Sequence, residues 1–488
     1  MLSSLDPRWN PVHVTMEDRM RLPAQAFLAA VALAAALPAA AAPGDAPLDP
    51  AGLTPARVTA IALERHPGLR ARREELRELE ARVREARSAA LPTIEGRVSG
   101  NRTRDPGLLN SPNFHEFADT PFFDEAFLRP VPVTTYDWRV AVDQVVWSFG
   151  KVRAGIRAAR VLLERARAEI RQEEVDRARD AVVALYDLAL ARERLAVLAT
   201  ERAAREEDVQ RARDLLDAGA GTRLALLQAR AALAGLAPRE LAARGEVTKA
   251  RARLAEALGL PASTPLEPAP DLLPRVELPP PPPLEELLDA TRSRPELLAL
   301  AEEGRALELQ RRATRADVLP ELKFSGSWGI RTIWTDSLAD LDYRSWNAGL
   351  FLSWTLSDGG RTRAAMDGLA SRIRQNALER ERVRGEVERD VASALADYER
   401  ARRAARAARE SVAAAEEARR VAAEERRWGA ATQLEVLEAD RTLTEARFQR
   451  LAALHDAAVA LAELRALLGL LPGDPLPGVP SAGEEERR

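Results

Sequence analysis

The chain has no cysteine. That excludes disulfides, thiolate catalysis, Cys-ligated zinc and an N-terminal lipid-modified Cys, and it suits an oxidising compartment. Beyond residue 45 there is no apolar run long enough for a transmembrane helix. Net charge is also scarce: −3 at pH 7, with 30% charged residues of both signs interspersed. This balance argues against a nucleic-acid surface and against a disordered polyelectrolyte. The histidines His13, His66, His115 and His455 are scattered. After residue 41 the only methionine is Met366, which gives no basis for a thioether copper path. No phosphate-binding loop occurs, so energy for any transport must come from a partner. The sequence offers no catalytic residues, cofactor site or metal site, and the expectation is a protein that is not an enzyme.

Proline is missing from Arg361 to Arg427 as well. At ~1.5 Å per residue this stretch makes a helical rod of ~100 Å. Val383, Val387, Val391, Leu395 and Tyr398 recur at helical steps, separated by Arg and Glu. A turn at Trp428-Gly429-Ala430-Ala431-Thr432 leads into a return helix over Thr432–Leu468. The same unit occurs earlier: a long helix Val152–Ala218, a turn Gly219-Ala220-Gly221-Thr222, and a return helix Thr222–Leu258. Thr222-Arg-Leu-Ala-Leu-Leu-Gln-Ala229 aligns with Thr432-Gln-Leu-Glu-Val-Leu-Glu-Ala439, and Leu258-Gly-Leu-Pro261 with Leu468-Gly-Leu-Leu-Pro472. So long a period is a duplicated half-protein, not a solenoid repeat. Rods of this length must lie against other rods, in this chain or in copies of it.

In chain order, residues 1–41 read as a secretory signal. Arg19 and Arg21 precede an apolar run from Ala24 to Leu37 and the small residues Ala39-Ala40-Ala41, with cleavage expected after Ala41. Met16 and Met20 are alternative starts, and an N-terminal membrane anchor is the weaker alternative. The first repeat covers 52–260 and opens with a helix over Thr54–Ala90, capped by Thr54 and carrying His66-Pro67. His66 reads as structural. A proline-rich linker over 261–283 includes the run Pro279–Pro283. The second repeat, 284–472, opens with a helix over Leu284–Leu319 carrying Arg294-Pro295. A charged tail over 473–488 reads as disordered.

After each Leu-Pro stop the period changes from helical to two. Strands are expected over 93–101, 136–147, 321–331 and 345–355, each about the length that a tilted strand needs to cross a bilayer. Leu322, Phe324, Trp328 and Ile330 share one face of the third strand, and Trp346, Leu350, Leu352 and Trp354 one face of the fourth; this is the expected lipid-facing set. Tryptophans near strand ends suit interfacial girdles. A small half-buried soluble sheet has the same alternation, but its apolar face would need a partner layer and the chain offers only polar rods. The connection Arg102–Thr135 carries Phe114, Phe117, Phe122, Phe123 and Phe127; Thr332–Arg344 is shorter. Four strands leave two open edges, which lipid does not tolerate, and are too few to close alone. The sheet must close between copies of the chain.

These halves, the His-Pro and Leu-Pro landmarks, Trp147-Ser-Phe-Gly-Lys151, Ser357-Asp-Gly-Gly-Arg361 and the Gly-x-x-Thr-x-Leu-x-x-Leu-x-Ala turns resemble the TolC-like outer-membrane efflux proteins across nearly the whole stretch 52–472. The resemblance implies a mainly α fold with membrane β: duplicated long antiparallel hairpins forming a periplasmic tunnel, and four strands per chain joining a twelve-stranded barrel in a homotrimer. It places the protein in the outer membrane of a Gram-negative bacterium, reaching into the periplasm. The implied partners are outer-membrane lipid, a periplasmic adaptor (membrane fusion) protein and an inner-membrane pump of the RND or ABC type, with no nucleic acid. By the same resemblance Gly219, Gly221, Thr222, Gly429 and Thr432 are adaptor-docking tips, and Glu435 and Glu438 match the acidic pair of the periplasmic gate. Ala431 departs from the family, where an Arg helps lock the closed state. The first repeat has Ala225 and Gln228 in place of the acidic pair. A periplasmic coiled-coil adaptor or structural protein is the alternative reading, although an adaptor has one hairpin where this chain has two.

Overall fold

The structure, a computed structural model, describes residues 52–104, 132–428 and 430–477. The signal segment, the phenylalanines between the first two strands, Gly429 and the last residues of the tail lie outside the described residues. In chain order the elements are α1 (Pro55–Arg65), α2 (Pro67–Ser88), β1 (Thr93–Thr103), β2 (Val133–Trp147), α3 (Lys151–Asp217), α4 (Arg223–Ala234), α5 (Ala237–Ala257), α6 (Leu284–Ala290), α7 (Pro295–Arg315), β3 (Glu321–Thr332), β4 (Arg344–Ser353), α8 (Arg361–Arg427) and α9 (Gln433–Leu467). Among the described residues no helix is long and apolar enough to cross a membrane.

The two long rods α3 and α8 have 67 residues each. Three expected helices are interrupted, each at a proline. The helix expected over Thr54–Ala90 breaks at His66, whose ψ of 123° is extended. A residue before proline is pushed out of the helical region, and Pro67 has no N–H to continue the ladder. Arg294, with ψ 133°, breaks the corresponding helix of the second repeat in the same way. His66 then caps α2, its Nδ1 accepting from the Gly68 N–H at 3.1 Å; burial, and then Arg177, lower its pKa. The return helix expected over Thr222–Leu258 divides into α4 and α5 around Gly235 and Leu236. Pro238 lies in the first turn of α5 and has no N–H for the Ala234 carbonyl. Phe448 occupies the matching position of the second repeat, and α9 runs unbroken.

The helices bury their apolar stripes against each other. Val383, Val387, Val391 and Tyr398 of α8 form one cluster with Leu461 and Leu464 of α9 and Leu297 of α7. Each such fully buried aliphatic side chain contributes about 1.5–3 kcal/mol. The Tyr398 hydroxyl donates to the Pro279 carbonyl at 2.7 Å, and its burial pushes the phenol pKa up to about 12. The linker, expected to be extended, turns over residues 270–275 and is pinned to the helices: Leu266 and Leu273 are buried, and the backbone at Glu267–Ala269 pairs with Leu53. Of the tail, residues 473–477 are described, and Leu476 is buried. His455 ties α9 to α3, its Nε2 2.8 Å from Asp187.

The strands form one antiparallel sheet in the order β1-β2-β3-β4. The register aligns Val98, Trp138 and Ile330 across one face, and Phe324 with Leu350, Leu322 with Leu352 and Trp328 with Trp346. The other face carries Glu95, Arg97, Arg139, Asp143, Lys323, Ser325, Ser327 and Asn347. Among the described residues, β1 and β4 each leave one edge unpaired. A bulge between Val145 and Trp147 shifts the register of β2 before the helices begin. The helices continue the strand order, since α3 lies against both α2 and α7, and α7 against α8.

Where each return helix ends, a left-handed glycine seats on the first helix of its own repeat. Gly259 has φ +68°, and a Cβ there would lie 2.7 Å from Pro67 Cδ; Gly469 has φ +73°, and a Cβ would lie 2.9 Å from Pro295 Cδ. Both the backbone sign and the space demand glycine. Gly259→Val and Gly469→Val are each expected to destabilise the folded protein by about 2–4 kcal/mol, read as a lower thermal midpoint. Gly385→Ala, exposed in the middle of α8, should hold or raise it. Unchanged midpoints in both valine variants would contradict this seating.

Candidate functional site at the helical tips

The far ends of the hairpins carry the expected docking and gating residues. At the first tip Gly219 adopts φ +69°, with nothing within 4 Å of a Cβ placed there. The N–H groups of Ala220 and Gly221 both donate to the Leu215 carbonyl, at 2.9 and 2.8 Å, which closes the end of α3. Gly221 is required by space: a Cβ would lie 2.9 Å from the Leu216 nitrogen. Thr222 caps α4, its Oγ1 accepting from the Ala225 N–H at 3.2 Å.

The second tip is built alike, with the Ala430 N–H donating to the Glu425 carbonyl at 2.8 Å. Here Thr432 and Glu435 form a capping box. The Thr432 N–H donates to Glu435 Oε2 at 2.6 Å, and the Glu435 N–H donates to Thr432 Oγ1 at 3.3 Å. The Thr432 N–H and hydroxyl hold the Glu435 carboxyl below its usual pKa. So one of the two expected gate carboxylates is engaged with its own helix end. Thr-x-x-Glu is the sequence signature of this box and was open to being read. Glu438 lies one turn further on, exposed. The tips also expose large apolar side chains: Leu215, Leu224, Leu227, Trp428 at 87% and Leu434 at 73%.

A charge cluster centred on the buried Arg205 lies just behind the tips. Asp440 of α9 accepts from Arg205 of α3 at 3.2 Å and from Arg419 of α8 at 3.0 Å. Arg205 also reaches Asp208 at 3.4 Å and is only 7% exposed. Burial raises the pKa of Asp208 against its two arginine neighbours. One carboxylate thereby joins the hairpins of the two repeats. Removing Asp440 would leave the buried Arg205 guanidinium without its partner on the second hairpin. Nothing in the spacing singles out Arg205 or Asp440 among so many charged helix positions. A cavity of about 300 Å³ lies beside the cluster, lined by Arg205, Asp208, Gly221, Gln228, Arg426 and Leu437 among others.

All of the expected lipid-facing residues except Trp354 lie on one face of the sheet. Trp346, Leu350 and Leu352 are 65–72% exposed and Trp328 45%, while Leu322 and Phe324 are half-buried. Ile330 shares the face but is 2% exposed, so it offers no surface outside the chain. It sits where the β3–β4 connection turns back, with the Trp138 indole donating to the Leu338 carbonyl at 2.9 Å. Trp354 lies past the end of β4, its indole donating to the Val318 carbonyl at 3.1 Å.

The model of the family described as "Outer membrane efflux protein" matches residues 58–260 and 287–470. The chain is 28% identical over 348 residues to the outer membrane efflux protein BepC of Brucella suis biovar 1, covering 70% of this chain and 74% of that protein. It is 27% identical over 360 residues to the outer membrane protein OprJ of Pseudomonas aeruginosa, covering 72% and 71%. The fold is that of the MtrE outer membrane channel of Neisseria gonorrhoeae in its open state, with a TM-score of 0.69 at 22% identity over 85% of this chain and 89% of that one. With both halves matched in order, the chain belongs to the outer membrane efflux protein family.

Proposed function

We propose that this protein is the outer-membrane exit duct of a tripartite efflux or type I secretion assembly, passively conducting substrates delivered by an inner-membrane pump of the RND or ABC type. The observation that carries this reading is the sheet: one apolar face, one polar face and two unpaired edges. Three copies joined β1 to β4 complete twelve strands around a polar lumen, and α2, α3, α7 and α8 continue each strand into a tunnel wall. An adaptor or a structural coiled coil has no use for such a sheet.

The tips are the docking surface for the adaptor. Their exposed leucines and Trp428 are the kind of anchor a helical-hairpin partner covers, and the glycine turns keep that end narrow. Bulky residues at Gly219 and Gly429 should leave subunit assembly intact and abolish export and adaptor cross-linking. Leu224→Asp with Leu434→Asp should weaken adaptor binding by about tenfold or more. Full export and cross-linking in both sets would refute docking at the tips.

Glu435 and Glu438 form the gate at the periplasmic end. In a trimer they make acidic rings that focus potential in a narrow throat. The capping box assigns unequal shares. Glu438 is free to face ions, whereas the Glu435 carboxylate, also charged, is held by the Thr432 N–H and hydroxyl. Because the Glu435 pKa is depressed, its capping contribution is present above the ordinary carboxylate range and is lost as pH falls through the depressed value. Single-channel recording with divalent or trivalent cations on the periplasmic side tests this. Glu438→Gln should lose most of the cation block and Glu435→Gln less. Unchanged block in the double variant would place the constriction elsewhere.

A further inference from the structure

We infer that the first turns of α3 form a binding site for the phosphodiester headgroup of an anionic phospholipid, at the periplasmic border of the sheet. Arg153, Arg157 and Arg160 recur at helical steps and share one face of α3. Together with Val146, Trp147 and Ile156 they line a cavity of about 520 Å³ that has no acidic residue in its wall. Among the described residues, none of these three guanidiniums has an ion-pair partner, and all three are exposed. Further along the same helix the pattern reverses: Arg165 pairs with Glu169, Arg167 with Glu164, Arg171 with Glu174, and Arg177 with Glu173. Arg194 and Arg213 further along α3 also lack an ion pair, but only at the end next to the sheet do three such arginines stand together around one cavity.

The side of the sheet on which this cavity opens is set by register. Trp147 pairs with Leu322, which belongs to the apolar face. An adjoining cavity shares Val145, Val152 and Ile156 with the basic one but is lined also by Asp143, Glu321, Lys323 and Lys151, mixed charges that include polar-face residues. The bulge brings Val145, paired with Lys323, and Trp147, paired with Leu322, to the wall of the basic cavity, and Trp147 joins that cavity to the apolar band. Trp147 is 57% exposed and meets Phe149 edge-on at 5.9 Å. Aromatic rings of this kind sit at headgroup depth, with phosphates immediately below. Guanidinium groups match phosphate oxygens in geometry as well as charge. Neighbouring copies do not cover the site, because β2 and α3 are flanked on both sides by elements of their own chain.

This inference rests on reading the apolar face as the membrane band, and the test separates the two. The purified full-length protein in neutral detergent is titrated with phosphatidylglycerol, phosphatidylethanolamine or inorganic phosphate, and its thermal midpoint is followed. Phosphatidylglycerol should raise the midpoint more than phosphatidylethanolamine. The triple variant Arg153→Gln, Arg157→Gln, Arg160→Gln should lose that difference and keep the response to phosphatidylethanolamine. A charge-matched control, Arg165→Gln, Arg167→Gln, Arg171→Gln, should behave as the parent. If the first triple variant does not assemble, Arg157→Gln alone should show a reduced difference. Equal responses to the two lipids in the parent, or an unchanged difference in the variants, overturn the headgroup site. A response to inorganic phosphate without one to phosphatidylglycerol overturns it in favour of a soluble phosphate. No response to either lipid would count against the membrane band itself.

Discussion

Every backbone N–H and C=O that enters hydrocarbon needs a partner within protein, because water is not there to supply one. In this chain the constraint falls on two strands. β1 and β4 are the edges of a four-stranded sheet, and each presents a row of unpaired groups beside an apolar face. An open edge in lipid costs several kcal/mol for each orphaned group, and four strands cannot curl far enough to meet. The rest of the architecture follows from that incompleteness. A subunit that cannot close its own sheet has to meet copies of itself. The helices that continue the strands then stand side by side as a wall.

The same logic explains the duplication. Each repeat supplies two strands, a long rod and a return path, and the return path ends beside the helix that opens its own repeat. Gly259 and Gly469 make that closure by seating on Pro67 and Pro295. The repeats have diverged at the other end. The first has a return path broken at Pro238, whereas the second has an unbroken helix opened by the Thr432–Glu435 box. The cluster of Arg205, Asp440 and Arg419 binds the broken hairpin to the unbroken one just behind the tips. A second tie between the hairpins, His455 to Asp187, lies further along the same rods.

Much of this was legible in the residues because it rests on periodicity. Val383 to Tyr398 marked the core stripe of α8, and the alternation through Leu322–Ile330 and Trp346–Leu352 marked one face of the sheet. The proline breaks were legible too, since His66-Pro67 and Arg294-Pro295 carry the restriction on the preceding residue, but helical periodicity continues across them and hides the kink. Other features have no local signature. Ile330 reads as a surface residue until the β3–β4 connection folds over it. Arg205 and Asp440 lie 235 residues apart and look like any solvated helix charges. Arg153, Arg157 and Arg160 stand out only when the ion pairs of their neighbours are known. Burial and pairing across long sequence separations are properties of the fold.

The absence of native cysteine makes the central claim directly testable. Single cysteines placed along β1, between Ile94 and Gly100, are combined in one chain with single cysteines along β4, between Trp346 and Leu352, and the protein is oxidised in isolated outer membranes. Within one open sheet these edges are about 14 Å apart, three strand spacings, which is beyond the reach of a disulfide. Closure between copies predicts that at least one pairing register gives covalent trimers on denaturing gels, without reductant. Disulfides formed only within single chains, or monomers at every register, would contradict it.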